Sequence, residues 1–110
     1  MFYKKSTTGY KEVLPGIFMK TLAHGSKTLL TEFKLSMGTI IPEHHHFHEQ
    51  TGYLVSGAIT LTIDGTSHDV KPGDSWCIES DVYHGVHVLE DSVIVEIFSP
   101  VRKDYLPENM

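Results

Sequence analysis

The sequence predicts an all-β fold, a sandwich or a barrel, on three observations. Ile59-Thr60-Leu61-Thr62-Ile63 alternates apolar and hydroxyl side chains, the period of a half-buried strand. Asp64-Gly65 follows at once, and this pair suits a tight hairpin turn whose two central residues both need positive φ. Short strand-like runs separated by turn residues recur along the chain, and no window of a dozen residues carries a helical apolar period.

The elements follow in order. Residues 16–23 and Lys27–Leu35 read as strands, the second bounded by Gly25-Ser26 and Met37-Gly38. Glu43–Leu54 reads as one extended segment, and Thr66–Val70 as the strand returning from the Asp64-Gly65 turn. Lys71-Pro72-Gly73-Asp74 is a turn, since proline presets φ and glycine supplies steric freedom. Ser75–Ile78, His84–Leu89 and Ser92–Ser99 complete the strand set, with a turn-like stretch over Glu79–Val82. From Pro100 to Met110 the chain carries two prolines and four charges, which leaves room only for a short strand. No linker, repeat or low-complexity segment divides the chain, so residues 1–110 are expected to form a single domain.

Composition narrows the partners. Nine basic against 14 acidic residues give a net charge of −5, and no Lys/Arg cluster exceeds a pair, which argues against nucleic acid. No apolar run approaches 18 residues and the start shows no signal-peptide pattern, so no membrane partner is expected and the cytoplasm is the expected location. The single cysteine, Cys77, excludes an intrachain disulfide and fits a reducing compartment. With no base beside it, Cys77 reads as a small core residue rather than a nucleophile, in a strand with Trp76 that packs into the barrel. Tyr53, Tyr83 and Phe33 read as core, and Gly52, Gly57, Gly65 and Gly73 as positions of turns and close strand packing.

The eight histidines are the compositional anomaly. In an extended Glu43–Leu54 segment, His44, His46, His48 and Gln50 share one face while His45, Phe47 and Glu49 take the other. Imidazoles two residues apart on one strand can share a metal ion, and a ligand from a distant strand closes the site. His84, after the turn-like stretch and before an apolar run, is the candidate for that ligand. A His-rich strand can also be a plain solvated face, but the same-face spacing favours a metal site. His48 has the correct parity for the mouth of the site, as a group supporting a ligand or touching substrate. His24, His68 and His87 lack partners in sequence and read as ordinary strand or surface histidines.

These residues carry a resemblance. Gly38, five residues, His44-x-His46, three residues, Gln50, six residues and Gly57 resemble the first motif of the cupin family, with Gln50 where glutamate is usual. Gly73-Asp74, Ile78 and His84 resemble the second, over about 73–88, after the fifteen-residue spacing of small microbial cupins. Glu79 and Asp81 stand where the motif has proline and glycine, so an altered loop conformation is expected there. The resemblance spans roughly residues 16–105 and implies a jelly-roll β-barrel of two antiparallel sheets with one divalent metal ion near one end, in a frequent homodimer. The implied ligands are His44, His46, Gln50 and His84. Three imidazoles and an amide oxygen suit Zn, Ni, Fe, Mn or Cu, and neutral ligands leave the ion its full double charge, which makes it a stronger Lewis acid.

The C-terminal run offers a second constellation. Glu96 shares a face with Ile94 and Phe98, so either its carboxylate enters the barrel, or Val95 and Ile97 do and Glu96 is solvated; periodicity is even between them. Together with His44-x-His46, Glu49-Gln50 and His84, the ending Glu96-Ile97-Phe98-Ser99-Pro100-Val101-Arg102-Lys103-Asp104-Tyr105 resembles a subgroup of small cupins, some of which open the ring of 4,5-unsaturated uronates from pectin and alginate. That resemblance implies Glu96 as acid/base, with Glu where aspartate is usual. It also implies Phe98 as a cavity wall and Arg102 as both catalytic group and anchor for a substrate carboxylate. The leading reading is therefore an enzyme acting on a small anionic sugar derivative by Lewis-acid and acid/base chemistry. An iron-dependent dioxygenase and a non-catalytic binding or sensory cupin are the alternatives, and the fold does not choose among them.

Overall fold

The computed structural model describes residues 1–107. The alternating run at Ile59–Ile63 is the end of a much longer strand. In chain order the strands are β1 (Lys11–Leu14), β2 (Ile17–His24), β3 (Leu29–Leu35), β4 (Ile40–His44), β5 (Glu49–Ile63), β6 (Thr66–Val70), β7 (Ser75–Ile78) and β8 (His84–Ser99). Among the described residues the one helical element is a 3₁₀ turn at Lys103–Tyr105.

All strand pairs are antiparallel, and two long strands organise them. The first half of β5 and the second half of β8 pair with each other, with β7 on the outer side of β5 and β3, β2 and β1 beyond β8. Their remaining halves also pair, now flanked by β6 and β4. The expected two antiparallel sheets are thus present, and β5 and β8 run through both. The register shifts between Leu54 and Ile59 mark where β5 passes from one to the other.

Side-chain parity builds the core. Along β3, Leu29, Thr31, Phe33 and Leu35 are buried; along β8, Ser92, Ile94, Glu96 and Phe98 are. Ile17, Met19, Leu54, Ile59, Ile78 and Val88 fill the space between the sheets. Each such side chain contributes roughly 1.5–3 kcal/mol of burial free energy. The hairpin between β5 and β6 turns as expected, with Asp64 at φ 49° and Gly65 at φ 81°. The 71–74 turn is closed by the Asp74 N–H donating to the Lys71 carbonyl at 2.9 Å.

Several expectations are corrected. Glu43–Leu54 is two strands broken at residues 45–48, and His84–Leu89 and Ser92–Ser99 are one strand. The strand expected from Lys27 begins at Leu29, and β1 and the first part of β4 were not anticipated. Phe33 is core, but Tyr53 and Tyr83 point outward and are exposed. Cys77 is also exposed, because it occupies the outward parity of β7 between half-buried Trp76 and buried Ile78. Burial and the carboxylates of Glu49 and Glu79 raise its thiol pKa, which leaves it a poor nucleophile.

Candidate metal centre

Three histidines from two distant parts of the chain meet at one end of the barrel. His44 ends β4, His46 lies in the segment leading to β5, and His84 begins β8, where its register partner is His44. The ring centroids are 4.2 Å apart for His44 and His84, 5.0 Å for His46 and His84, and 5.8 Å for His44 and His46. One nitrogen from each ring lies within 4.8 Å of the others, a spacing that a single ion can bridge.

The tautomers follow from the backbone. His44 Nδ1–H donates to the Pro42 carbonyl at 2.8 Å, His46 Nδ1–H to the His48 carbonyl at 2.9 Å, and His84 Nδ1–H to the Val82 carbonyl at 2.8 Å. A carbonyl only accepts, so each Nδ1 carries a proton, and in the neutral ring the lone pair is on Nε2. The Nε2 atoms of His46 and His84 are buried without a hydrogen-bond partner. Burial, the larger cause, and the positive charge of Arg102 lower the His46 pKa; burial first, then the neighbouring histidines, lowers that of His84 to about 4. Lowered pKa values favour the neutral, ligating form of His46 and His84, and the three-histidine set fits a divalent transition metal.

The segment carrying His46 and the loop before His84 are tied together. The Asp81 N–H donates to the His46 carbonyl at 2.8 Å, and Asp81 has a left-handed φ of 62°. At the position where the cupin motif has glycine, Asp81 therefore adopts a conformation that glycine takes without strain.

A cavity of about 360 Å³ opens over the histidines, walled by Phe33, Ile94 and Phe98 and edged by Gln50, Glu96 and Arg102. Glu96 is 6% exposed, which settles its direction: it faces inward with Ile94 and Phe98. Its Oε2 accepts hydrogen bonds from Gln50 Nε2 at 2.6 Å and Trp76 Nε1 at 3.2 Å. Burial pushes the Glu96 pKa up to about 7, while those two donors and Arg102 act against the rise. Gln50, 5% exposed, points its amide nitrogen at Glu96, so its oxygen is the end available to an ion.

Arg102 faces two aromatic rings, its guanidinium carbon 4.0 Å from the Tyr105 centroid and 5.2 Å from that of Phe98. Asp104 accepts from its Nε at 3.2 Å. Two polar-tipped aromatics of the cavity carry more than the sequence suggests: Trp76, expected only to pack, and Tyr105, which ends the C-terminal motif without a role of its own and which the 3₁₀ turn brings to the cavity lining. The strand register that brings Trp76 to Glu96 has no local signature. The His48 ring is not part of the cavity lining; its backbone carbonyl orients His46. His24, His68 and His87 are strand residues away from this cavity, as expected.

A jelly roll with a histidine-lined metal position at one end defines a cupin. Residues 31–99 match the family described as Cupin domain, and the chain belongs to the cupin family. It is 29% identical over 107 residues to the pectin degradation protein KdgF of Dickeya dadantii (strain 3937), covering 96% of this chain and 97% of that one. The structure of KdgF from Halomonas sp. superposes with a TM-score of 0.90 at 32% identity, covering 96% of this chain and 98% of its own. An RmlC-like cupin from Shewanella frigidimarina NCIMB 400 reaches 0.86 at 24% identity, over 91% and 90% of the two chains, a likeness of fold alone.

Proposed function

We propose that this chain is a metal-dependent enzyme that isomerises a small carboxylated sugar, and that its substrates are 4,5-unsaturated uronates. The observation that carries the reading is the buried carboxyl group of Glu96, with a pKa near 7, in the same cavity as the three-histidine cluster. Likeness to proteins named for pectin degradation supports the substrate class. His44, His46 and His84 would hold the ion through Nε2, with the Gln50 amide oxygen as fourth ligand. The ion, when bound, supplies a Lewis acid at a substrate oxygen.

The chemistry is a balanced isomerisation. A proton leaves the anomeric hydroxyl, the bond between C1 and the ring oxygen breaks, and C1 becomes a carbonyl. The electron pair left on the ring oxygen makes an enolate across C4 and C5, which becomes a ketone when C4 gains a proton. Glu96 takes the first proton and returns it, a task suited to a carboxyl group half-protonated near neutrality. Arg102 holds the substrate carboxylate: its Nε donates to Asp104, and the planar guanidinium fork suits paired hydrogen bonds to a carboxylate. The proximity of Arg102 to the Tyr105 and Phe98 rings holds that fork beside an apolar wall.

The test mixes metal-loaded protein with 4,5-unsaturated galacturonate and follows loss of the ultraviolet absorbance of the C4–C5 double bond, with and without oxygen. Oxygen-independent turnover that a chelator abolishes is the expected result. Glu96→Gln should lower kcat by roughly a hundredfold or more, and Arg102→Ala should chiefly raise KM. No turnover with zinc, nickel, manganese, iron or copper would sink the proposal, and turnover that consumes oxygen would make the protein an oxygenase.

A further inference from the structure

We propose that Trp76 is a positioning residue for Glu96: its indole N–H and the Gln50 amide together pin Oε2 and leave Oε1 facing the cavity. The kinetic half of this inference rests on Glu96 moving the proton; the structural half does not.

The arrangement comes from strand register. Gly52 on β5 is the register partner of Trp76 on β7 and also of Glu96 on β8, so the three form one row across the sheet. The middle position has no side chain. A Cβ added at Gly52 would sit 2.2 Å from Trp76 Cε2 and 2.3 Å from Nε1, so the indole lies directly over the glycine backbone. Only with that space empty does Nε1 come within 3.2 Å of Glu96 Oε2. On the opposite side of β8, Thr31 is the next partner in the row, and its hydroxyl donates to the Glu96 backbone carbonyl at 3.0 Å. The Glu96 backbone is thus held from one side and its carboxyl group from the other.

Two donors on one oxygen make the carboxyl group asymmetric. An indole N–H only donates, so Oε2 must act as acceptor in both protonation states of the acid. With two donors already on Oε2, a proton on Glu96 is favoured on Oε1, and no hydrogen bond among the described residues engages that oxygen. Trp76 contributes to both the row and the cavity lining, which an aromatic serving only as a wall has no need to do.

The chain contains one tryptophan, so its spectrum contains one indole N–H resonance. In the metal-loaded protein, Glu96→Ala is expected to move that resonance upfield, because a hydrogen bond to a carboxyl oxygen deshields the proton. Trp76→Phe keeps a ring and removes the N–H; it should lower kcat on 4,5-unsaturated galacturonate by roughly ten- to a hundredfold, as a displaced catalytic group does, with KM little changed. Gly52→Ala, its folding checked by the thermal midpoint, should move the resonance and kcat in the same directions. An indole resonance indifferent to Glu96→Ala, or a Trp76→Phe variant with wild-type kcat, would overturn the proposal. Should the wild type fail to turn over unsaturated uronates at all, the substrate reading falls and the resonance alone decides the role of Trp76.

Discussion

His44, His46 and His84 each lock their Nδ1–H on a backbone carbonyl two residues away, so the orientation of the Nε2 lone pairs is a local backbone property. The three histidines were identifiable in the sequence, although the extended strand whose parity suggested His44 and His46 is broken at residues 45–48 and the backbone carbonyls, not strand parity, aim the rings. The direction of Glu96 was not, because in Ile94-Val95-Glu96-Ile97-Phe98 both parities are apolar and only the packed barrel selects one. The consequence for mutation is specific. His46→Ala and His84→Ala each remove an Nε2 from the shared point and should lower metal content from about one ion per chain to a tenth or less. His48→Ala retains the carbonyl that orients His46 and should keep its metal. Elemental analysis of the purified variants beside the wild type distinguishes these outcomes, and a metal-free His48→Ala protein would contradict the assignment.

At the scale of elements, the polar interruptions in β5 and β8 look like turns in the sequence and act as bends in the fold. Glu90-Asp91 splits the apolar alternation of β8, and Ser56-Gly57 does the same in β5, so each strand reads as two. Pairing with each other lets both strands continue across the interruption and join the two sheets. The converse error arose at 45–48, where a run of histidines carries no apolar alternation to signal a break. Gly57 is the position where the bend is tightest: its φ is +95°, and a Cβ there would lie 2.1 Å from Ser92 Oγ and 2.5 Å from the Asp91 carbonyl. Ser92 Oγ itself accepts the Ala58 N–H at 3.1 Å, so it cannot move aside freely. Gly57→Ala should therefore destabilise the protein by on the order of 2 kcal/mol or more. Gly65→Ala supplies the comparison, since Gly65 has a similar φ of +81° and nothing within 4 Å of its added Cβ. It should cost about 1 kcal/mol, mainly from the backbone. Equal thermal midpoints for the two variants would show that the contact with Ser92 is not what requires glycine at 57.

For the whole molecule, the site sets how stability responds to pH once the metal is removed. His84 has its pKa lowered from 6.5 to about 4, so its contribution is present above pH 6.5 and is lost as pH falls toward 4. Glu96 has its pKa raised from 4.5 to about 7, so its contribution is complete below pH 4.5 and is lost as pH rises through 7. The metal-free barrel is thus weakened from both sides by groups that line one cavity. A cation bound in the same cavity favours the ionised form of Glu96 and stabilises the folded state by mass action, so the loaded protein should lose part of the alkaline penalty. Glu96→Gln isolates that penalty, because an amide has nearly the shape of the protonated acid and cannot ionise. In chelator, the variant should be close to wild type in stability at pH 4.5 and more stable at pH 8, by on the order of 3 kcal/mol. With metal restored the gap should shrink. Denaturant midpoints at the two pH values, with and without metal, read this directly. A variant no more stable than wild type at pH 8 in chelator would mean that Glu96 ionises in the folded barrel without cost, and that its burial does not tune it toward neutrality.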